Sequence, residues 1–317
     1  MAGVRFLVTG AAGFIGSNLV ERLVADGADV VGLDNFLTGK RENVEAFADR
    51  FELVEGDVRD PALCRRLCRG ARYVLHEAAL ASVPWSMEDP ALAHDHNVNG
   101  THNVLVAARE AGVERVVFAS SAAIYGDPAV MPVHEGLPPD PLSPYALHKL
   151  VGEEYIALFH RAFGQKAVAL RYFNVFGPRQ DPSGAYAAAI PRLLARILCK
   201  ERPVIFGDGE QTRDFCHVDN VVEANLAACR APAEADGRAF NIGAGGRISL
   251  NALVRRMLDL LGSPLEPEHG PERAGDVRHS QAAIDLARRA LGYEPRIDAL
   301  AGLGKAIGWY KENLVRP

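Results

Sequence analysis

The sequence predicts an α/β fold: a doubly wound parallel sheet carrying a smaller C-terminal α/β lobe. Three observations predict it. Short β-branched runs alternate with helical stretches through the first half, a glycine-rich turn follows the first strand directly, and after about Asn174 the rhythm gives way to irregular segments rich in proline and glycine. The 317 residues suit one large α/β unit or two intimately joined parts. A net charge of -5 leaves no basic footprint for nucleic acid. No apolar run reaches membrane-spanning length, and the first residues lead straight into a strand without a signal-peptide pattern. Neither a nucleic-acid nor a membrane partner is expected, and the cytoplasm is the expected location. The five cysteines (Cys64, Cys68, Cys199, Cys216 and Cys229) show no Cys-x-x-Cys pair. Cys64 and Cys68 can share a helical face, but two thiols make an incomplete site, so they read as small buried side chains and no metal is expected.

The elements follow in order. Strands are expected at 5–9, 29–33, 51–55 and 72–76, with a helix at 14–25 after the first. A long helix covers 94–111 and an apolar strand 115–119. The next helix starts near Ser143-Pro144, where serine caps and proline suits the first turn, and a further strand covers 167–171. Residues 1–173 form the first unit and 174–317 the second. A helix near 218–229 returns to the first unit, so a segment near 215–242 interleaves the two.

Thr9-Gly10-Ala-Ala-Gly13-Phe14-Ile15-Gly16 joins strand one to helix one. Gly10 permits the tight turn, Gly13 lets backbone approach a pyrophosphate, and Gly16 allows close helix packing. The helix start offers free N–H groups to the anion. The spacing is one residue longer than the common fingerprint, but the context is that of a Rossmann dinucleotide turn, with an acid, Asp34, ending strand two. A carboxylate there accepts from ribose hydroxyls and repels a 2′-phosphate, which favours NAD over NADP. Lys40 and Arg41 lie close enough to soften that preference and otherwise read as a solvated helix start.

Tyr145 and Lys149 are four residues apart, so both project from one helical face. A phenol ionises near pH 10, and a neighbouring ammonium favours its charged form, so Tyr145 is a candidate general base near neutrality.

Together the glycine turn, Ser120-Ser121 after the fifth strand, and Tyr145/Lys149 resemble the extended short-chain dehydrogenase/reductase superfamily. Gly56-Asp57-Val58 resembles the family's adenine-contacting turn, and His76-Glu-Ala78-Ala79 its strand-four loop beside the cofactor. In Asn97-Val-Asn99-Gly-Thr101, Asn99 matches the helix asparagine, with Asn97 counted among the cofactor residues beside Asn35. Arg171-Tyr-Phe-Asn174, Gly207-Asp-Gly-Glu-Gln-Thr-Arg213 and Arg273-Ala-Gly-Asp276-Val resemble nucleotide-sugar segments. Within the superfamily the chain is most similar to UDP-sugar 4-epimerases, and among these to bacterial UDP-N-acetylglucosamine 4-epimerases. That likeness rests on the segments after Gln180, Arg213-Asp-Phe-Cys-His and Gly275-Asp-Val-Arg-His-Ser280.

The resemblance implies that Tyr145, as phenolate, takes the proton of the sugar 4-hydroxyl while NAD accepts hydride from C4. Lys149 would lower the phenol's pKa and hold the nicotinamide ribose, and Ser121 would bridge the 4-oxygen and Tyr145. NAD would be retained rather than consumed. It further implies Asn174, Arg213 and Arg273 at the diphosphate, Asp276 at the uridine ribose, and Ala81, Ser82 and Ser280 around the sugar. Where glucose/galactose-only epimerases often carry tyrosine, Ser280 leaves room for an acetamido group. Pairing with Asp214 or Asp219 is the structural alternative for Arg213, strand-end hydrogen bonding that for Ser120 and His217. Competing readings are a UDP-glucuronate epimerase, a nucleotide-sugar dehydrogenase or reductase, and an NAD-binding sensor without catalysis. Asp181 would repel a substrate carboxylate, although Arg192 could serve it. Dehydratases need an acid pair where this chain has Ala122-Ala123. The family also implies a homodimer formed through helices that include the one bearing Tyr145.

Overall fold

The computed structural model describes residues 1–183, 188–272 and 277–314. Its centre is a seven-stranded sheet. The strands β1 (Arg5–Thr9), β2 (Asp29–Asp34), β3 (Glu52–Glu55), β4 (Tyr73–His76), β5 (Arg115–Ser121) and β6 (Ala167–Tyr172) are joined by an edge strand, Arg238–Ile242. From that edge the order runs β6, β5, β4, β1, β2, β3, with every pairing parallel. The expected doubly wound α/β sheet is therefore present.

Helices cover both faces, so the strands read as continuous apolar runs rather than alternating ones. Phe6 and Val8 pack into the cluster on one face, where Leu19, Leu23, Val221 and Leu226 of two covering helices meet them. Leu7 points the other way, to Val104, Leu105 and Phe159. A third cluster, with Leu193, Leu253, Met257 and Tyr310, is the core of the smaller lobe. Residues 215–242 supply the helix Val218–Cys229 to the first face and the edge strand to the sheet.

The helix expected at 94–111 differs from the reading. It starts earlier, at Pro90, and carries a π turn at Asp95–Asn99 before continuing as Gly100–Glu110. Such an extra residue swings side chains around the helix, and it decides which asparagine turns inward. The helix Pro144–Phe163 has Ser143 accepting from the Ala146 N–H at 3.2 Å, Pro144 in the first turn and Gly164 as a left-handed C-cap. No described helix is long and apolar enough to cross a membrane.

Candidate active site

The carboxyl ends of β1, β2, β4 and β5 open into a cleft of about 770 Å³ where the strand order switches. Gly10 forms its floor. Its φ of +69° suits glycine, and a Cβ there would lie 2.8 Å from the Ala78 nitrogen. Gly16 seats the helix Phe14–Ala25 on the turn, since a Cβ would approach the Gly10 oxygen to 2.0 Å. That helix begins at Gly13 with no side-chain cap, so the N–H groups of its first turn face the cleft beside Phe14 and Ile15. Asp34 accepts from the Ala12 and Phe36 N–H groups, each at 2.8 Å, and burial pushes its carboxyl up against them. The two nearby cations are engaged elsewhere: Lys40 pairs with Asp181 at 2.8 Å and Arg41 with Glu55. A Gly-lined, uncapped helix start with an acid at the second strand's end, and with the Lys40 and Arg41 cations beside it already paired, fits a dinucleotide without a 2′-phosphate.

Asn35, Val58, Ala78 and Ala79 line this cleft as expected from sequence, and so do Ala81 and Ser82. Asp57 turns aside: burial opposes its charge, but Arg59 and Asn35 bond the carboxylate and bring it down to about 2. The two asparagines of this segment are placed differently from each other. Asn99 is exposed and donates to Asp95 at 2.9 Å. The buried one is Asn97, which holds the Leu80 N–H at 2.7 Å and its carbonyl at 3.1 Å, so it braces the loop after β4 and does not line the cleft.

Tyr145 and Lys149 project into the cleft from the helix Pro144–Phe163. That helix sits against β5 at Gly152, where a Cβ would come within 2.4 Å of the Phe118 ring. Its start is tied down by Ser86, whose hydroxyl accepts from the Tyr145 N–H at 3.1 Å, a brace across 59 residues that no local pattern announces. Ser121 lies beside the Tyr145 phenol and accepts from the Ala123 N–H at 3.1 Å. The acidity expected of that phenol is not met by these residues alone. Burial pushes it up, Ser121 works the other way, and the Glu77 carboxylate adds to the rise. Lys149 is buried and brought down to about 8 by desolvation, against Glu77 and Glu153. Ser120 donates to Glu153, which receives the Arg171 guanidinium in a two-point pair. Arg171 also bonds the Tyr125 hydroxyl at 2.6 Å, and that hydroxyl donates to Asn241 at 2.7 Å.

A second hollow of about 390 Å³ adjoins the first, with Gln180 and Ala188 on both walls. Asn174 and Arg213 line it, together with Phe206 and Arg192, whose guanidinium lies 5.3 Å from the Phe206 ring centre. Asn174 adopts a positive φ of 28°, which asparagine tolerates, and its amide reaches the Ser280 hydroxyl at 3.4 Å. Asp214 is no partner for Arg213. Its fully buried carboxylate accepts from the Ala244, Gly245 and Ala282 N–H groups, while Arg213 donates to the Thr212 and Arg278 carbonyls. His217 accepts from the Asp219 N–H and caps the following helix. Arg273 and Asp276 lie outside the described residues.

A model of the NAD dependent epimerase/dehydratase family matches residues 6–243. A UDP-glucose 4-epimerase of Mycolicibacterium smegmatis is 40% identical over 98% of this chain and 99% of its own. Among solved structures, a UDP-N-acetylglucosamine 4-epimerase from Methanobrevibacter ruminantium, in complex with UDP-N-acetylmuramic acid, superposes with a TM-score of 0.94 at 36% identity, covering 98% of this chain and 99% of that one. A UDP-glucose 4-epimerase from Thermotoga maritima with UDP-glucose gives 0.93 at 37%, covering 98% and 100%.

Proposed function

The chain belongs to the NAD dependent epimerase/dehydratase family, and from that premise we propose that it is a UDP-sugar 4-epimerase acting on UDP-N-acetylhexosamines and also on UDP-glucose. One observation carries the reading: the cleft lined by Tyr145 and Lys149, with Ser121 beside the phenol, adjoins a second hollow walled by Asn174 and Arg213. A dinucleotide in the first and a nucleotide-sugar in the second would meet at the Tyr145 hydroxyl.

NAD+ bound in the first cleft supplies a hydride acceptor and a positive charge beside the phenol. Tyr145 takes the proton of the sugar 4-hydroxyl, and Ser121, beside the phenol, holds the 4-oxygen. Lys149 keeps an ammonium next to the developing phenolate. Tyr145 would return that proton to the 4-oxygen once the sugar, turned about its diphosphate link, presents its opposite face. Arg213 and Asn174 hold the diphosphate through charge and amide donors. The small Ser280, next to Asn174, leaves space for an acetamido group. Ala122 and Ala123, after β5, offer no acid to expel water, which speaks against a dehydratase.

We further propose a homodimer. Leu147 and Leu158 of the Tyr145 helix are both close to half exposed, and they offer an apolar face for a second copy. Light scattering at micromolar concentration tests this.

The deciding experiment incubates the protein with UDP-glucose, UDP-N-acetylglucosamine or UDP-glucuronate, without added nicotinamide, and analyses the products. Epimers of the first two are expected at unchanged total redox state. Turnover only with added NAD, accompanied by accumulating NADH, would make the protein a dehydrogenase instead.

A further inference from the structure

Glu77 stands outside every assignment above. It follows β4 directly, its backbone N–H donates to the Thr9 carbonyl at 3.2 Å, and its side chain lines the cleft with Tyr145, Lys149 and Tyr172. The Tyr172 hydroxyl donates to Glu77 Oε1 at 2.9 Å. That proton has little choice of direction, because the Asn225 amide, fully buried, donates to the same hydroxyl oxygen at 2.8 Å. Asn225 is itself held, donating to the Val221 carbonyl at 2.9 Å. A chain from the helix Val218–Cys229 through β6 thus fixes the Glu77 carboxyl at the cleft wall.

We propose that Glu77 is a positioning residue of this site: it is the counter-charge that sets the proton balance between Lys149 and Tyr145. The inference rests on the reading of Tyr145 as the base.

The groups around Glu77 leave this role to it. From β6 it meets the Tyr172 hydroxyl, and it shares the cleft wall with Lys149 and Tyr145 of the helix Pro144–Phe163. His76, its neighbour in sequence, is turned away onto Thr9 and Thr101 and stays neutral. The Cys216 thiol beyond Tyr172 is pushed up to about 12 by burial and carries no charge. Glu153, the other carboxylate near Lys149, is already matched by Arg171. Burial lifts Glu77 to about 7 and lowers Lys149 to about 8, so each is within reach of a change in charge near neutrality.

The ionised carboxylate acts on its two neighbours in the same sense. It favours the Lys149 ammonium and disfavours the Tyr145 phenolate, which raises both pKa values. Removing the charge therefore lowers both, and the whole bell-shaped activity profile moves toward acid. A residue needed only for shape would lower the rate and leave the profile in place.

The test compares kcat/KM against pH for the coenzyme-loaded wild type, Glu77→Gln and Glu77→Asp. Phenolate absorbance is titrated in parallel, with Tyr145→Phe as the blank. Glu77→Gln should move both limbs and the phenolate titration acidward by about one unit, and Glu77→Asp should stay near the wild type. If Glu77→Gln does not fold, Tyr172→Phe replaces it. Without its donor the carboxyl protonates more readily, so the same acidward shift is expected, smaller in size. Unmoved limbs in a folded variant, with Tyr145→Phe inactive, would overturn the role of Glu77 alone. Persisting turnover in Tyr145→Phe would overturn the base assignment beneath it.

Discussion

The Lys149 ammonium donates to the Ala119 carbonyl oxygen at 2.6 Å, at the end of β5, and its nitrogen stands 5.9 Å from the centre of the Tyr145 ring. The lysine is thus pinned to the sheet rather than to the tyrosine. Spacing of four residues brought both side chains to one face, but the sheet decides where the charge sits. In this cleft burial opposes charge on either group.

Tyr145→Phe keeps the ring and removes the acid–base group. Turnover of any accepted UDP-sugar should fall by about 10²–10⁴-fold, with binding of the nucleotide-sugar little changed. Steady-state rates beside isothermal titration would check both halves. A drop confined to KM would show that the phenol only binds.

Lys149 is brought down to about 8, chiefly by burial. Its ammonium is therefore present below that value and lost as pH rises through it, and kcat should decline on the alkaline side near there. Lys149→Met should be slow at every pH and lack that limb. A wild-type rate that stays flat past pH 9 would contradict the assignment.

Ser280 sits beside Asn174, which lines the second hollow. Ser280→Tyr should reduce turnover of UDP-N-acetylglucosamine by about tenfold or more, since overfilling a packed pocket costs about 1–3 kcal/mol. UDP-glucose turnover should survive. Parallel rates on the two substrates give the ratio, and an unchanged ratio would remove Ser280 from substrate selection.

Local signals made the first half of the fold legible. β-branched strands, the glycine turn and the Ser143-Pro144 helix start lie where pattern placed them, because each is decided within a few residues. What escaped detection depends on contacts far apart in sequence. The π turn at Asp95–Asn99 shifts the inward position from Asn99 to Asn97, and no periodicity announces it. Ser86 beneath Tyr145, Glu153 on Arg171, and Glu77 on Tyr172 are 59, 18 and 95 residues from their partners. The phenol's acidity is hidden from sequence for the same reason: spacing shows which charges are near, but not how much water is excluded around them.

His76 ties β4 to its neighbours, with one ring nitrogen 2.7 Å from the Thr9 hydroxyl and the other 3.0 Å from that of Thr101. Burial lowers its pKa from the usual 6.5 to about 3. The folded protein therefore refuses a proton that the unfolded chain accepts. The resulting stability is complete above about pH 6.5 and is lost as pH falls toward about 3. Urea midpoints measured at pH 7 and pH 4.5 should drop steeply in the wild type and less steeply in His76→Gln. Equal drops in both would show that other groups govern acid unfolding.

Arg115, at the start of β5, forms a two-point pair with Asp236 at 2.8 and 3.0 Å, and both side chains are almost wholly buried. Its remaining Nη1 donates to the carbonyls of Ala228, Cys229 and Ala231, where the helix Val218–Cys229 ends. One guanidinium thus fastens the returning segment to the sheet. Asp236→Ala leaves that charge buried and unmatched, and should cost about 3–5 kcal/mol. Asp26→Ala, which breaks the half-exposed pair with Arg22, should cost no more than about 1 kcal/mol. A buried pair can often be replaced by apolar residues without loss, but here Arg115→Met with Asp236→Leu would also strand three carbonyls. The double variant should therefore remain destabilised in urea denaturation. Recovery to wild-type stability would mean that neither the ion pair nor the carbonyl contacts contributes net stability at this junction.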